Sequence, residues 1–210
     1  MLPPTIPLFP LPNVVLFPSV FLPLHVFEPR YRMMVTDALA GDRMIGMVLL
    51  QTGHEAEYEG APPVYAIGCA GLITHAEKLP DGAFNIILRG LEKFRILGED
   101  RTRAYRVAEV EGLMDDVGEE ERAEIRRQRS RLEALLAPPI EYAGADPRMP
   151  PAMPDEDLIN ALAQYLDLEP IERQALLERD GLKSRSAALV ELLEMRVLVP
   201  RAAWSRPGTH

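Results

Sequence analysis

The first 27 residues contain no Asp, Glu, Lys or Arg, and seven prolines interrupt them: Pro3, Pro4, Pro7, Pro10, Pro12, Pro18 and Pro23. At Glu28 the block turns into the polar run Glu28-Pro29-Arg30-Tyr31-Arg32. A stretch this apolar is a membrane span, a secretion leader or a set of buried strands. Each proline inside a helix would cost about 3 kcal/mol, which removes a single spanning helix. A leader needs a basic start and a small-residue cleavage site, and neither is present. Short buried strands remain, each ended by a residue that cannot donate to a ladder.

On this basis strands are expected at Thr5–Phe9, Val14–Leu16 and Val20–Phe27, with turns at Pro12-Asn13 and Pro18-Ser19. Pro29 suits the first position of a helix, and Tyr31, Met34, Val35, Ala38 and Leu39 repeat at helical spacing up to Gly41. Strands return at Met44–Leu50, Val64–Ala76, Ala83–Leu88, Phe94–Leu97 and Tyr105–Leu113, with Asp81-Gly82 as a hairpin signal and 51–63 as an exposed loop.

Beyond Asp116 the pattern becomes helical. Asp116 and Glu119 stand at capping-box spacing, and the helix they open carries Ile125, Leu132, Leu135 and Leu136 on its inner face. Pro138-Pro139 ends it, and 144–154 reads as a proline-rich linker. Helices follow at Asp155–Leu166, Pro170–Arg179 and Ser184–Val199, with Gly181 closing the second and Ser184 capping the third. Strands first and helices after indicate an α+β chain with segregated layers. The expected division is 1–116 β-rich, 117–199 helical and 200–210 a loose tail.

The net charge of −9 and pI near 5.0 argue against nucleic acid or an anionic membrane as the main partner. One cysteine, Cys69, rules out an intrachain disulfide and multi-thiolate zinc, and points to the cytoplasm. Cys69 lies in an apolar strand and reads as an inert buried thiol. Lys183-Ser184 lacks the glycines of a phosphate loop, and no Gly-x-Ser-x-Gly elbow exists. His25 and Glu28 are three apart but no second histidine pair supports a metal, because His54, His75 and His210 are scattered. The favoured reading puts His25 in or beside the core and Glu28 as a helix cap. Arg126, Arg127, Arg129 and Arg131 follow three glutamates and read as a solvated helix face, not an RNA site. Met33 and Met34 read as core filling.

Pro7-Leu8-Phe9-Pro10-Leu11, Val14-Val15-Leu16-Phe17-Pro18 and the run from Leu22 to Arg32 (Leu-Pro-Leu-His-Val-Phe-Glu-Pro-Arg-Tyr-Arg) closely resemble the opening of the Lon protease N-terminal domain. Gly68-Cys69-Ala70, Leu79-Pro80-Asp81-Gly82, Gly90, Phe94-Arg95-Ile96, the stretch 170–177 and Leu189–Met195 fit the same pattern, so the resemblance spans roughly 4–198. Two positions depart from it: Ser19 stands where glycine is common, and Ala83 where a basic residue is common. The resemblance implies a β-rich PUA-like pseudo-barrel followed by a helical bundle. It also implies a stand-alone, non-catalytic member, since full Lon enzymes add ATPase and serine–lysine protease domains and this chain ends before either could begin. Binding of exposed protein or peptide segments is then the expected role, with no cofactor or metal. A self-associating scaffold is the alternative, and RNA binding through the PUA-like half is less favoured. The candidate binding residues are His25, Phe27, Glu28, Arg30, Tyr31 and Met34, at a groove beside the helix from Pro29 or at the junction of the halves. For Glu28 and Arg30 an ion pair that locks this helix in place is equally sufficient.

Overall fold

The computed structural model describes residues 2–51, 53, 62–100, 102–114, 117–136 and 153–198. In chain order the elements are β1 (Thr5–Leu11), β2 (Phe21–Val26), α1 (Pro29–Ala40), β3 (Met44–Leu49), β4 (Ile67–Lys78), β5 (Phe84–Asp100) and β6 (Val107–Leu113). Helices α2 (Glu119–Leu136), α3 (Asp155–Tyr165), α4 (Pro170–Leu177) and α5 (Gly181–Leu198) complete the chain. The architecture is α+β, as the order of patterns predicts.

The strands form one mixed sheet in the order β2-β5-β4-β3-β1-β6, and a further β5–β6 pairing closes five of them into a ring. β1 runs parallel to β3, with Leu8 opposite Gly46, and antiparallel to β6, with Ile6 opposite Ala108. A strand that pairs on both sides has no edge to protect. β2 stands outside the ring and pairs only with β5, from Phe21↔Arg89 to Val26↔Phe84.

Two expectations about strands are corrected. Val14–Leu16 is not a strand. Pro12 and Pro18 bracket it, and it enters the core as an irregular plug with Val15, Leu16 and Phe17 buried. Its Phe17 N–H donates to Gln164 Oε1 at 3.2 Å instead of to a ladder. Ala83–Leu88 and Phe94–Leu97 are not separate strands but parts of the 17-residue β5. Gly90, which reads as a break, lies in mid-strand because the plug crosses directly over it: a Cβ there would stand 2.0 Å from the Phe17 carbonyl oxygen. Ser19 has φ 63°, a left-handed conformation that explains why glycine is common at this position.

Helix α1 starts with Pro29 at its first turn and buries Tyr31, Met34, Val35 and Ala38, as their spacing predicts. The Asp81-Gly82 hairpin also forms. Gly82 takes φ 84°, and the Asp81 carboxylate accepts the Ala83 N–H at 3.0 Å. The helix boundary near residue 181 differs from the expectation. Gly181 (φ 74°) opens α5, so Ser184 sits inside that helix and does not cap it. Leu136 is exposed and Leu135 is half-buried, whereas Ile125 and Leu132 carry the inner face of α2. The Asp116 cap, the 144–152 part of the linker, most of the 51–63 loop and the tail with Trp204 lie outside the described residues.

One apolar core joins the sheet to the helices, running from Phe17, Tyr31 and Met34 through Cys69 and Leu88 to Leu132, Leu176 and Leu189. Polar groups knit the same junction. Lys93, 4 % exposed, donates to the Arg179 carbonyl at 2.8 Å, and Gln174 Nε2 donates to the Ile67 carbonyl at 3.0 Å. Arg185 is fully buried, donating to Asn160 Oδ1 at 2.8 Å with its guanidinium 5.8 Å from the Phe17 ring centroid.

Candidate functional site

The outer edge of β2 is the one strand edge left open by the sheet order among the described residues. Gly90 N–H donates to the Val20 carbonyl at 2.8 Å, which fixes the alternation along the β2–β5 pair. Leu22, Leu24 and Val26 therefore direct their backbone groups at β5, and Phe21, Pro23 and His25 direct theirs outward. Two observations agree. Pro23, with no N–H to give, falls on the outward set, and the Phe21 carbonyl accepts the Tyr165 hydroxyl at 2.8 Å from α3. The side chains alternate in step: Phe21, Pro23 and His25 are exposed, while Leu22 and Leu24 are half-buried and Val26 is buried.

Phe27, just past the strand, is 64 % exposed, and its ring stacks on His25 with centroids 6.0 Å apart. His25 Nδ1 donates to Asn85 Oδ1 at 2.9 Å, and Asn85 Nδ2 reaches Glu77 Oε2 at 3.3 Å, so a polar chain crosses β2, β5 and β4 beside the aromatics. Phe21 (50 %), Tyr165 (67 %) and Met33 (51 %) are further exposed large apolar side chains on β2, on α3 beside it and on α1.

The six sequence-derived candidates separate into three pairs. His25 and Phe27 reach the surface together, which corrects the expectation that His25 sits in or beside the core. Glu28 and Arg30 are partly buried and bound to each other, with Arg30 Nε and Nη2 each 3.0 Å from Glu28 Oε2. Glu28 occupies the N-cap position of α1, but its side chain makes no cap hydrogen bond, because the carboxylate is engaged by Arg30. Tyr31 and Met34 are core residues, 3 % and 0 % exposed: Tyr31 packs on Phe9 at 4.5 Å and carries the Arg30 guanidinium 4.6 Å above its ring. Met34 fills the core as expected, whereas Met33, expected there too, lies off the buried stripe of the helix and is 51 % exposed. Sequence reasoning missed Phe21 and Tyr165. Phe21 could have been found by counting back in twos from His25, whereas Tyr165 is placed by tertiary packing alone.

Beside α1 lies a groove of about 330 Å³ bounded by Pro29, Arg32, Met33 and Thr36 of the helix and by Lys78, Gly82 and Phe84 of the β4–β5 hairpin. Other cavities are less suited to an extended ligand. The one at the junction of the halves is flanked by Glu92, Lys93 and Glu156, with Lys93 already bonded to the Arg179 carbonyl just beyond α4. Cys69 offers no nucleophile, since burial pushes its thiol up to about 12.

The family profile described as the ATP-dependent protease La (LON) substrate-binding domain matches residues 5–195. The chain belongs to that family. Among curated relatives, Lon protease 2 of Myxococcus xanthus is 29% identical over 203 residues, covering 93% of this chain and 24% of that protein. Lon protease of Trichlorobacter lovleyi is 30% identical over 203 residues, covering 91% and 24%. The chain spans about a quarter of the length of these Lon proteases. Of solved structures, a Lon N-terminal domain protein from Xanthomonas campestris is 25% identical with a TM-score of 0.58, covering 90% of this chain and 97% of that one. The N-terminal domain of Mycobacterium avium complex Lon protease, 18% identical, has the same fold, with a TM-score of 0.64 over 90% of this chain and 98% of its own. No helix of the described residues is long and apolar enough to cross a membrane.

Proposed function

We propose that this Lon-type domain is a non-catalytic binder of extended, apolar segments of other proteins, in a substrate-recognition or adaptor role. The observation that carries this reading is the open β2 edge with Phe21, Pro23, His25 and Phe27 exposed along it. An added strand would pair with outward backbone groups and lay alternate side chains against the aromatics. The family's description as a substrate-binding domain supports the same role. A net charge of −9 favours protein over nucleic acid, and a single cysteine suits a reducing compartment such as the cytoplasm. The five-strand ring supports a PUA-like pseudo-barrel, and α2–α5 a helical unit meeting it near residue 116.

Binding is weak by construction. Pro23 has no N–H and the Phe21 carbonyl is already bonded to Tyr165, so a partner strand finds few backbone groups free. Each new hydrogen bond contributes about 1 kcal/mol net, and covering a half-exposed phenylalanine contributes about 1 kcal/mol more. The test is fluorescence anisotropy with labelled unfolded-protein peptides. Phe21→Asp/Phe27→Asp should weaken binding at least about 10-fold while lowering stability by no more than about 2 kcal/mol, since both rings are at least half exposed. Unchanged affinity would refute the site. The same open edge suits pairing with a second copy, which is the alternative role; a concentration-dependent dimer lost in this double variant would favour it.

A further inference from the structure

We propose that the groove between α1 and the β4–β5 hairpin selects segments carrying an acidic side chain next to their apolar run; this rests on the reading of the β2 edge given above. Arg32 and Lys78 flank the groove. Neither meets a carboxylate of the described residues: Arg32 Nη1 reaches only the Asp81 carbonyl at 3.4 Å, and Lys78 lies 5.9 Å from the Phe84 ring centroid. Several other arginines of this acidic chain do. Arg30, Arg95, Arg103, Arg106 and Arg196 each stand against a Glu or Asp.

The missing side chain of Gly82 leaves the room that Arg32 occupies. A Cβ on Gly82 would fall 2.8 Å from Arg32 Nη2, so the guanidinium lies across the glycine at the mouth of the groove. Met33 and Phe84 supply the apolar floor, and Phe84 is the β5 partner of Val26, the last residue of β2. A segment laid along β2 therefore passes Phe27 and arrives at two uncommitted cations. Its own carboxylate would give these cations the kind of partner that those arginines have, and a basic residue there would meet like charge. The occupant is a protein segment with Asp or Glu flanking an apolar stretch.

The experiment uses the full chain and three labelled peptides with blocked termini. They share an alternating Val/Thr run and carry Glu, Gln or Lys at both ends. At low ionic strength the Glu peptide should bind about 5- to 10-fold more tightly than the Lys peptide, as expected for two solvent-facing ion pairs. The preference should shrink towards parity at about 1 M salt. Lys78→Glu, an exposed change, should remove most of it, and Arg32→Glu/Lys78→Glu should reverse it. Equal binding of the three peptides, all weakened by Phe27→Ala, would overturn the charge selection and leave the edge-binding reading standing. A Glu preference untouched by both variants would place the selection elsewhere and overturn it too. No binding by any peptide would overturn both.

Discussion

Gly90→Ala tests the arrangement on which the β half depends. The new methyl carbon would stand 2.0 Å from the Phe17 carbonyl oxygen, 2.8 Å from its carbon and 3.2 Å from Pro18 Cα. All three are backbone atoms, so no side-chain rotation relieves the overlap, and the plug must retreat by about 1 Å or more to reach ordinary contact. It is anchored against that retreat. Ser19 N–H donates to the Gly90 carbonyl at 2.9 Å and Gly90 N–H to the Val20 carbonyl at 2.8 Å. Losing both bonds costs about 1–3 kcal/mol, and loosening the buried Leu16 and Phe17 side chains adds about 1–3 kcal/mol. The expected loss is about 2–6 kcal/mol. Gly98→Ala is the matched control, since it lies in the same strand with nothing within 4 Å of its Cβ. That change should be neutral or stabilising by up to about 1 kcal/mol. Urea unfolding with freely fitted m-values measures both. If Gly90→Ala lies within about 1 kcal/mol of wild type, the size of one hydrogen bond, the plug does not cross β5 at Gly90.

Three further outcomes are expected. Burial raises the Cys69 thiol from its ordinary 9.0 to about 12, so the unfolded chain ionises first and stability falls as pH rises from about 9 towards 12. Between pH 8 and 10 wild type should lose about 1.4 kcal/mol more than Cys69→Ala, and equal pH slopes in urea titrations would contradict this. Asn160→Ala removes the side-chain oxygen 2.8 Å from the buried Arg185 guanidinium and should cost about 3 kcal/mol by thermal unfolding. A loss under about 1 kcal/mol would mean that Arg185 does not depend on it. Pro23→Val restores an outward N–H on β2 and should tighten peptide binding about 5-fold while promoting self-association in sedimentation runs; weaker binding would show that position 23 does not face outward.

What could be read from the sequence follows a physical divide. Local signals were sufficient wherever a residue's own covalent chemistry decides: Pro29 at a helix start, Gly82 with φ 84°, the Tyr31/Met34/Val35/Ala38 stripe. They failed where a distant segment decides. Gly90 carries the same letter as a turn glycine, yet it is held in mid-strand because residues 17 and 18 need the room. Val14–Leu16 has strand composition but runs into a plug whose next residue, Phe17, donates to a helix side chain 147 residues away. The surface proposed for binding was half legible. His25 and Phe27 lie where the motif pointed, whereas Tyr31 and Met34, which read equally well as anchors, are consumed by the core. An anchor and a core residue look alike in a one-dimensional pattern, and only the side of the helix separates them.

That separation explains how one short stretch can hold the fold together and also face a partner. Even-numbered β2 residues pack inward and bond to β5, while odd-numbered ones carry the exposed edge, so each set can change with little effect on the other. An exposed aromatic edge is an aggregation hazard unless its pairing capacity is reduced. Here two groups are withdrawn: Pro23 removes a donor, and Tyr165 occupies the Phe21 acceptor from the helical half. The same withdrawals cap the affinity available to any extended partner, because every missing bond lowers it about 5-fold. On the proposed reading, weak, sequence-tolerant capture follows from the same two withdrawals that limit edge-to-edge pairing, and needs no separate device.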